Sequence, residues 1–298
     1  MYPLAILIGG PTATNKTELA FEIQNKTSGS IINADSMQVY KELRTLTNTP
    51  DDKDLNNYSC ELFRFINYPK KCNVGFWFEN VQKLLLNSNG KIPIFVGGTG
   101  LYLDSLYGTI SPIPEVPLKI RNKIEKIHSR LGNAYFFKKL QEVDEEYSKV
   151  ISKNDSQRLV RAVTVKITTG KNMSYWHSLK SNRIFKKIIY VVISDDREKI
   201  YESINKRCLR ILKSDIKMEI KEFLEKKKNI EHPLHKCIGL EILNSYIDGK
   251  FRFKETLDMF SQQTRQYAKR QITWFKNRSS DSIKMEFKEA KKFLLKNI

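Results

Sequence analysis

No run of about eighteen apolar residues occurs anywhere in the chain, which excludes a conventional helical membrane span. The short apolar start Leu4–Ile8 has no basic residues ahead of it and runs straight into Gly9–Gly10, so no export signal is expected either. Cysteine is scarce. Cys60, Cys72, Cys208 and Cys237 share no CxxC spacing, which argues against a disulfide framework and fits free thiols in the reducing cytoplasm. Acidic residues are also few: 33 Asp and Glu stand against 52 Lys and Arg, a net charge of +19. Such an excess suits a polyanionic partner, nucleic acid or an anionic membrane surface, unless it only reflects a bias toward Lys, Asn and Ile. At 298 residues there is room for a large core and a smaller appended domain.

What is present reads as an α/β protein. Leu4–Ile8 ends in Gly9–Gly10, and Leu19, Ala20 and Ile23 then recur at helical spacing. Ile31–Ile32 precedes Asn33-Ala34-Asp35-Ser36, and Ile92–Val96 precedes Gly97-Gly98-Thr99-Gly100, each turn leading into a plausible helix. Alternating strands and helices predict a parallel sheet flanked by helices, with ligands gathered at the carboxyl ends of its strands. A proline-rich break at Ser111–Pro117 opens a stretch without strands, taken as an all-helical insertion over 111–185 between core segments 1–110 and 186–298. Ile188–Ile193 returns to the sheet, and from Arg197 onward the pattern is helical.

The stretch Gly10-Pro11-Thr12-Ala13-Thr14-Asn15-Lys16-Thr17 falls one glycine short of the phosphate-loop pattern. In such a P-loop, backbone N–H groups and a helix N-terminus face the anion, a lysine neutralises it and a hydroxyl ligates Mg²⁺. Asn15 occupies the place of the second glycine, and asparagine tolerates left-handed backbone better than most residues. An ordinary strand–turn–helix remains open. Asp35 at a strand end is either a general base or a helix cap. The glycines around Thr99 admit either close approach of a ligand or a tight turn.

Gln157, Arg158 and Arg161 share one helical face while Leu159, Val160 and Val163 share another, so the polar face could meet phosphates or only solvent. Arg265, Lys269 and Lys276 also align, as suits RNA backbone contact. His232-Pro233-Leu234-His235-Lys236-Cys237 only superficially resembles a metal cluster and reads better as a loop before a helix.

In order and spacing, the phosphate-loop stretch, Ala34–Tyr40, Val96–Tyr102, Gln157–Arg161 and Thr264–Phe275 resemble the tRNA dimethylallyltransferases, the IPP transferase family. The resemblance implies transfer of a dimethylallyl group from dimethylallyl diphosphate to the N6 amine of the adenosine 3′ of certain anticodons, with Mg²⁺. It implies that Asp35 receives the amine proton and that Thr99 hydrogen-bonds the substrate beside the breaking bond. Gly10 to Thr17 and Arg207 would hold the diphosphate, with Thr17 on Mg²⁺. Asp35, Ser36, Met37, Gln38, Thr99, Arg121, Gln157, Arg158, Leu159, Val160, Arg161, Lys236, Cys237, Ile238, Gly239, Leu240 and Glu241 would meet the tRNA anticodon stem-loop. The chain departs from the family at Asn15, at Leu46-Thr47-Asn48-Thr49-Pro50 in place of G-T-A-K-P, and in lacking the His pair near Cys60–Glu61. Lys236 and Leu240–Glu241 also replace more typical residues. A monomer without membrane attachment is expected. The rivals are a P-loop nucleotide or small-metabolite kinase and a basic RNA-binding protein with a vestigial loop.

Overall fold

A computed structural model of the chain describes residues 2–298 apart from 89, 110, 180–182, 227–230 and 280. It divides into two compact units, Met1–Tyr107 with Arg183–Ile298, and Gly108–Asn182.

In the larger unit, β1 (Tyr2–Gly9) leads through the glycine turn into α1 (Lys16–Thr27), followed by β2 (Ser30–Asn33), α2 (Asp52–Asn57) and β3 (Cys60–Glu61). Next come α3 (Val74–Leu86), capped by the Asn73 side chain, then β4 (Pro93–Gly97) and the short α4 (Gly100–Asp104). The smaller unit is all helical: α5 (Leu118–Val143), interrupted at Gly132, α6 (Glu145–Val150), α7 (Ser156–Thr169) and α8 (Met173–Ser178). Asp144, Asp155 and Asn172 cap its last three helices through their side chains, each accepting a backbone N–H that the first turn leaves unpaired. Its own core gathers Phe136, Leu140, Leu159, Val165 and Met173.

The chain re-enters the larger unit with β5 (Phe185–Ile193), α9 (Arg197–Lys213), α10 (Ile216–Lys226), α11 (Leu240–Ile247), α12 (Phe253–Asn277), β6 (Ile283–Met285) and α13 (Phe287–Asn297). Among the described residues six parallel strands form one sheet in the order β3-β2-β4-β1-β5-β6. Alternate side chains divide between two cores. Ala5, Leu7, Ile32, Phe95, Tyr190 and Val192 face one, shared with α3, α9 and α12. Ile6, Ile8, Ile31, Ile94, Val96 and Val191 face the other, shared with α1 and α13. Burial on both faces explains the unbroken apolar runs Leu4–Ile8 in β1 and Ile188–Ile193 in β5.

Three expectations need correction. Arg183 to Phe185 belong to the core rather than the insertion, because Phe185 opens β5 and the Ile184 carbonyl accepts the Tyr2 N–H at 2.8 Å. The tail after Arg197 is not wholly helical, since β6 pairs with β5 at the sheet edge. No helix follows Asp35–Ser36. Residues 36–49 fold into successive turns, with Leu43 and Asn48 in left-handed backbone and Glu219 of α10 accepting the N–H groups of Thr45 and Leu46.

Candidate active site

The strand order places the three turns together. β2, β4 and β1 are neighbours, Asn33 pairs with Val96 and Gly97 with Gly9, so the turns after Asn33, Gly97 and Gly9 leave the sheet side by side. This is the carboxyl edge, where open parallel sheets bind ligands.

The 10–17 loop is shaped by unusual backbone. Gly10 sits at φ 145°, Ala13 at 65° and Asn15 at 53°, the last in the left-handed region where the usual pattern has glycine. Closure comes from Thr14, whose hydroxyl donates to the Pro11 carbonyl at 2.9 Å. Lys16 opens α1, and its ammonium folds back on the Pro11 carbonyl and the Thr14 hydroxyl. Burial pulls its pKa down to about 7; Asp35 opposes this by stabilising the charge, and Arg207 reinforces it. Thr17 follows on the first turn, and its hydroxyl has no protein hydrogen bond among the described residues.

Asp35 is held by a rigid turn. Fully buried Asn33 accepts the Asp35 N–H at 2.9 Å and donates to the carbonyls of Asp35 and Leu62, while Trp77 donates its indole N–H to the Asn33 carbonyl. The Asp35 Oδ1 accepts the Met37 N–H at 2.9 Å. Its Oδ2 lies beside Gly98 and has no protein hydrogen bond among the described residues. The capping behaviour is thus real, without a helix to cap, and occupies only one carboxylate oxygen. The charge of Asp35 is felt by Lys16, Arg207, Tyr267 and Cys237. Burial and then Asp35 push the Cys237 thiol up to about 12, so it stays protonated.

Thr99 donates its N–H to the Ala34 carbonyl at 3.2 Å, and its hydroxyl accepts the Ser36 N–H at 2.9 Å. A side chain at Gly97 would meet the Ala34 carbonyl at 2.1 Å, so glycine is required there for β2 and β4 to close up. Arg207 reaches this region from α9. Its Nε is buried without a protein partner, and desolvation lowers its pKa. A buried, unpartnered guanidinium N–H beside the 10–17 loop is what an anion would satisfy.

Other expected residues divide by exposure. Gln38 is only partly exposed and spends its amide on the carbonyls of Thr47 and Asn48. In the 236–241 turn Cys237, Gly239 and Leu240 are buried, leaving Lys236 and Glu241 outward and Ile238 partly so. The His232 segment is a one-turn 3-10 helix, Pro233–Lys236, rather than a plain loop. It is capped by His232, which is buried with Nδ1 accepting the Leu234 N–H. No group of three or more His, Cys, Asp or Glu could hold a metal ion among the described residues.

Within the helical unit Leu159 and Val160 are buried, while Gln157, Arg158 and Arg161 face outward. The buried pair can shape an RNA surface only indirectly. Arg121 pairs with Glu125 at 2.8 Å, and desolvation followed by the nearby Arg121 charge lowers the Arg161 pKa.

Sequence reasoning missed as parts of the site Asn33 and, on α12, Gln271, which accepts the Thr12 N–H and donates to the Gly98 carbonyl. Their signals were an asparagine ending a strand and a glutamine inside the Thr264–Phe275 motif, and neither reveals its partners.

Residues 38–278 match the family described as IPP transferase, and residues 4–61 match the one described as isopentenyl transferase. The chain belongs to the IPP transferase family. An IPP transferase is a prenyltransferase, and this places the chain apart from the kinase alternative. It is 39% identical over 284 residues to a tRNA dimethylallyltransferase of Pelagibacter ubique, covering 94% of this chain and 91% of that one. Among solved structures, a tRNA delta(2)-isopentenylpyrophosphate transferase from Staphylococcus epidermidis is 27% identical, with a TM-score of 0.68 and coverage of 99% and 96%. A eukaryotic dimethylallyltransferase crystallised acting on tRNA has the same fold, at a TM-score of 0.84 and 22% identity, covering 96% of this chain and 75% of that one. Within this IPP transferase no described helix is long and apolar enough to cross a membrane.

Proposed function

We propose that the chain transfers a dimethylallyl group from dimethylallyl diphosphate to the N6 amine of the adenosine 3′ of the anticodon in tRNA, releasing diphosphate. The observation that carries this reading is the meeting of Asp35, just after β2, with Lys16 at the start of α1 and Arg207 from α9, beside the carboxyl edge of the sheet. Kinship with a tRNA dimethylallyltransferase supports it.

The amine lone pair forms the new bond to the allylic carbon as the carbon–oxygen bond breaks and its electron pair leaves with diphosphate. Adenine's exocyclic amine is a poor nucleophile, so positioning and stabilisation of the leaving group supply most of the rate. Lys16, Arg207 and the backbone N–H groups of the 10–17 loop, other than Pro11, which has none, and Thr12, whose N–H is bonded to Gln271, take up the charge on diphosphate. Thr99 hydrogen-bonds the substrate beside the breaking bond, and the Asp35 carboxylate receives the proton that the amine loses as its new bond forms. The Thr17 hydroxyl, which has no protein hydrogen bond among the described residues, and the oxygens of diphosphate are hard donors that fit Mg²⁺, which keeps several waters and takes one or two protein ligands besides phosphate. Thr17 would hold it, and when bound it supplies further neutralisation of the leaving group.

In the helical unit, Arg121, Gln157, Arg158 and Arg161 are offered to the anticodon stem-loop, over a backbone shaped by Leu159 and Val160. In the core, Ser36, Met37, Lys236 and Glu241 are offered to it, over the backbone of Gln38, Cys237, Ile238, Gly239 and Leu240. We take the enzyme to act as a monomer in the cytoplasm, where its four free cysteines stay reduced. Mass spectrometry of nucleosides from tRNA incubated with the protein, dimethylallyl diphosphate and Mg²⁺ tests the reading. Dimethylallyl adenosine should appear only with all components present. Donor turnover without tRNA, or rapid ATP hydrolysis, would overturn it.

A further inference from the structure

A single side chain from the far end of the chain joins two of the three turns. Gln271, on α12, is 5% exposed. Its Oε1 accepts the Thr12 N–H of the phosphate loop at 2.8 Å, and its Nε2 donates to the Gly98 carbonyl at 2.9 Å. A backbone N–H can only donate and a carbonyl can only accept, so these partners fix the orientation of the amide. The fit is close: a Cβ on Gly98 would stand 2.3 Å from the Gln271 Nε2. The peptide that carries the Gly98 carbonyl also carries the nitrogen of Thr99 itself, the residue whose hydroxyl meets the substrate in the reading above.

We infer that Gln271 is a positioning residue whose planar amide sets the phosphate loop against the Thr99 turn, holding the diphosphate and the Thr99 hydroxyl in register across the breaking bond. This rests on the prenyl-transfer reading above. Packing alone would be served by any side chain of similar volume, but the two hydrogen bonds require a donor and an acceptor on one rigid group. Gln271 touches neither substrate. It acts by fixing two elements that do, in a reaction where a displacement of about 1 Å can lower the rate roughly 100-fold. Methionine keeps the length of the side chain and removes both hydrogen bonds. Glutamate keeps the acceptor for Thr12 and has no donor for Gly98.

The test is single-turnover prenylation by the full-length protein at saturating tRNA and dimethylallyl diphosphate, with donor KM measured separately. Gln271→Met should lower the chemical step by roughly 10- to 100-fold while tRNA affinity stays within about twofold of the parent. Gln271→Glu should also lose rate, because one of the two ties is broken. In a Thr99→Ala background the Gln271→Met substitution should cost less than about threefold more, since both changes act on the same hydroxyl. A parental rate in Gln271→Met, or a full multiplicative loss in the double variant, overturns the inference. If Gln271→Met does not fold, Gln271→Glu decides by the same criteria. Failure of the unsubstituted protein to prenylate tRNA would instead overturn the underlying reaction, so the two failures are distinguishable.

Discussion

The Thr99 hydroxyl accepts the backbone N–H of Ser36 at 2.9 Å and directs its own proton to the Ser36 hydroxyl at 3.2 Å. One side chain therefore ties the turn after β4 to the turn after β2, and the proton it shares with Ser36 is what it can turn toward a leaving group. Thr99→Ala should slow single-turnover prenylation by roughly 10- to 1000-fold, the range for losing one preorganised donor. Thr99→Ser keeps the hydroxyl and should recover most of that loss. Equal rates in the two variants would show that the hydroxyl has no part in the chemistry.

Asp35→Asn keeps the Oδ1 that accepts the Met37 N–H and removes the base. The turn should persist, tRNA and donor should still bind, and the chemical step should fall by roughly 10²–10⁴-fold. Near-parental turnover would reduce Asp35 to the anchor of its own turn.

Lys16 gives a pH dependence whose sign follows from its pKa, held near 7 against an ordinary lysine value of 10.5. Between these values the unfolded chain binds a proton that the folded protein without donor does not, so this group's contribution to stability rises with pH across that window. Donor binding works the other way, because diphosphate needs the ammonium. The donor KM should increase from pH 7 to pH 9, whereas Lys16→Ala should start with a higher KM that changes little over that range. A flat parental profile would mean that Lys16 stays charged without donor.

The outward basic residues should govern tRNA affinity through counterion release. Removing Arg161 or Lys269, both exposed, should weaken tRNA binding and flatten the log–log salt slope by roughly 0.7–0.9 for each phosphate that is no longer neutralised. An unchanged slope in both variants would mean that these charges only solvate the surface.

Long buried strands were legible before the fold was known, because burial on both faces of β1 and β5 leaves a continuous apolar signature. β3 and β6 were not. The first has two residues and the second three, at opposite edges of the sheet, too few for any period to show. Asn15 was readable as a stand-in for glycine, since its side chain tolerates the left-handed backbone found at φ 53°. The turns after Asp35 were misread as a helix because what shapes them is remote: the Glu219 carboxylate arrives from 174 residues away to hold the Thr45 N–H. Asp35 itself was ambiguous for a good reason, as one of its oxygens caps a turn and the other faces the crevice. Gln271 lay in plain sight within a recognisable motif, but its partners are 173 and 259 residues distant, and local patterns carry no information about pairings so remote.

That last separation also has a meaning in time. At about 5–20 residues per second, a ribosome finishes the phosphate loop roughly 13–50 s before it adds the glutamine that braces it. The loop is therefore made long before the residue that braces it, and the brace can form only once α12 has been synthesised. Premature termination ahead of α12 would leave a polypeptide that keeps the loop, Asp35 and Thr99 yet lacks the brace between them.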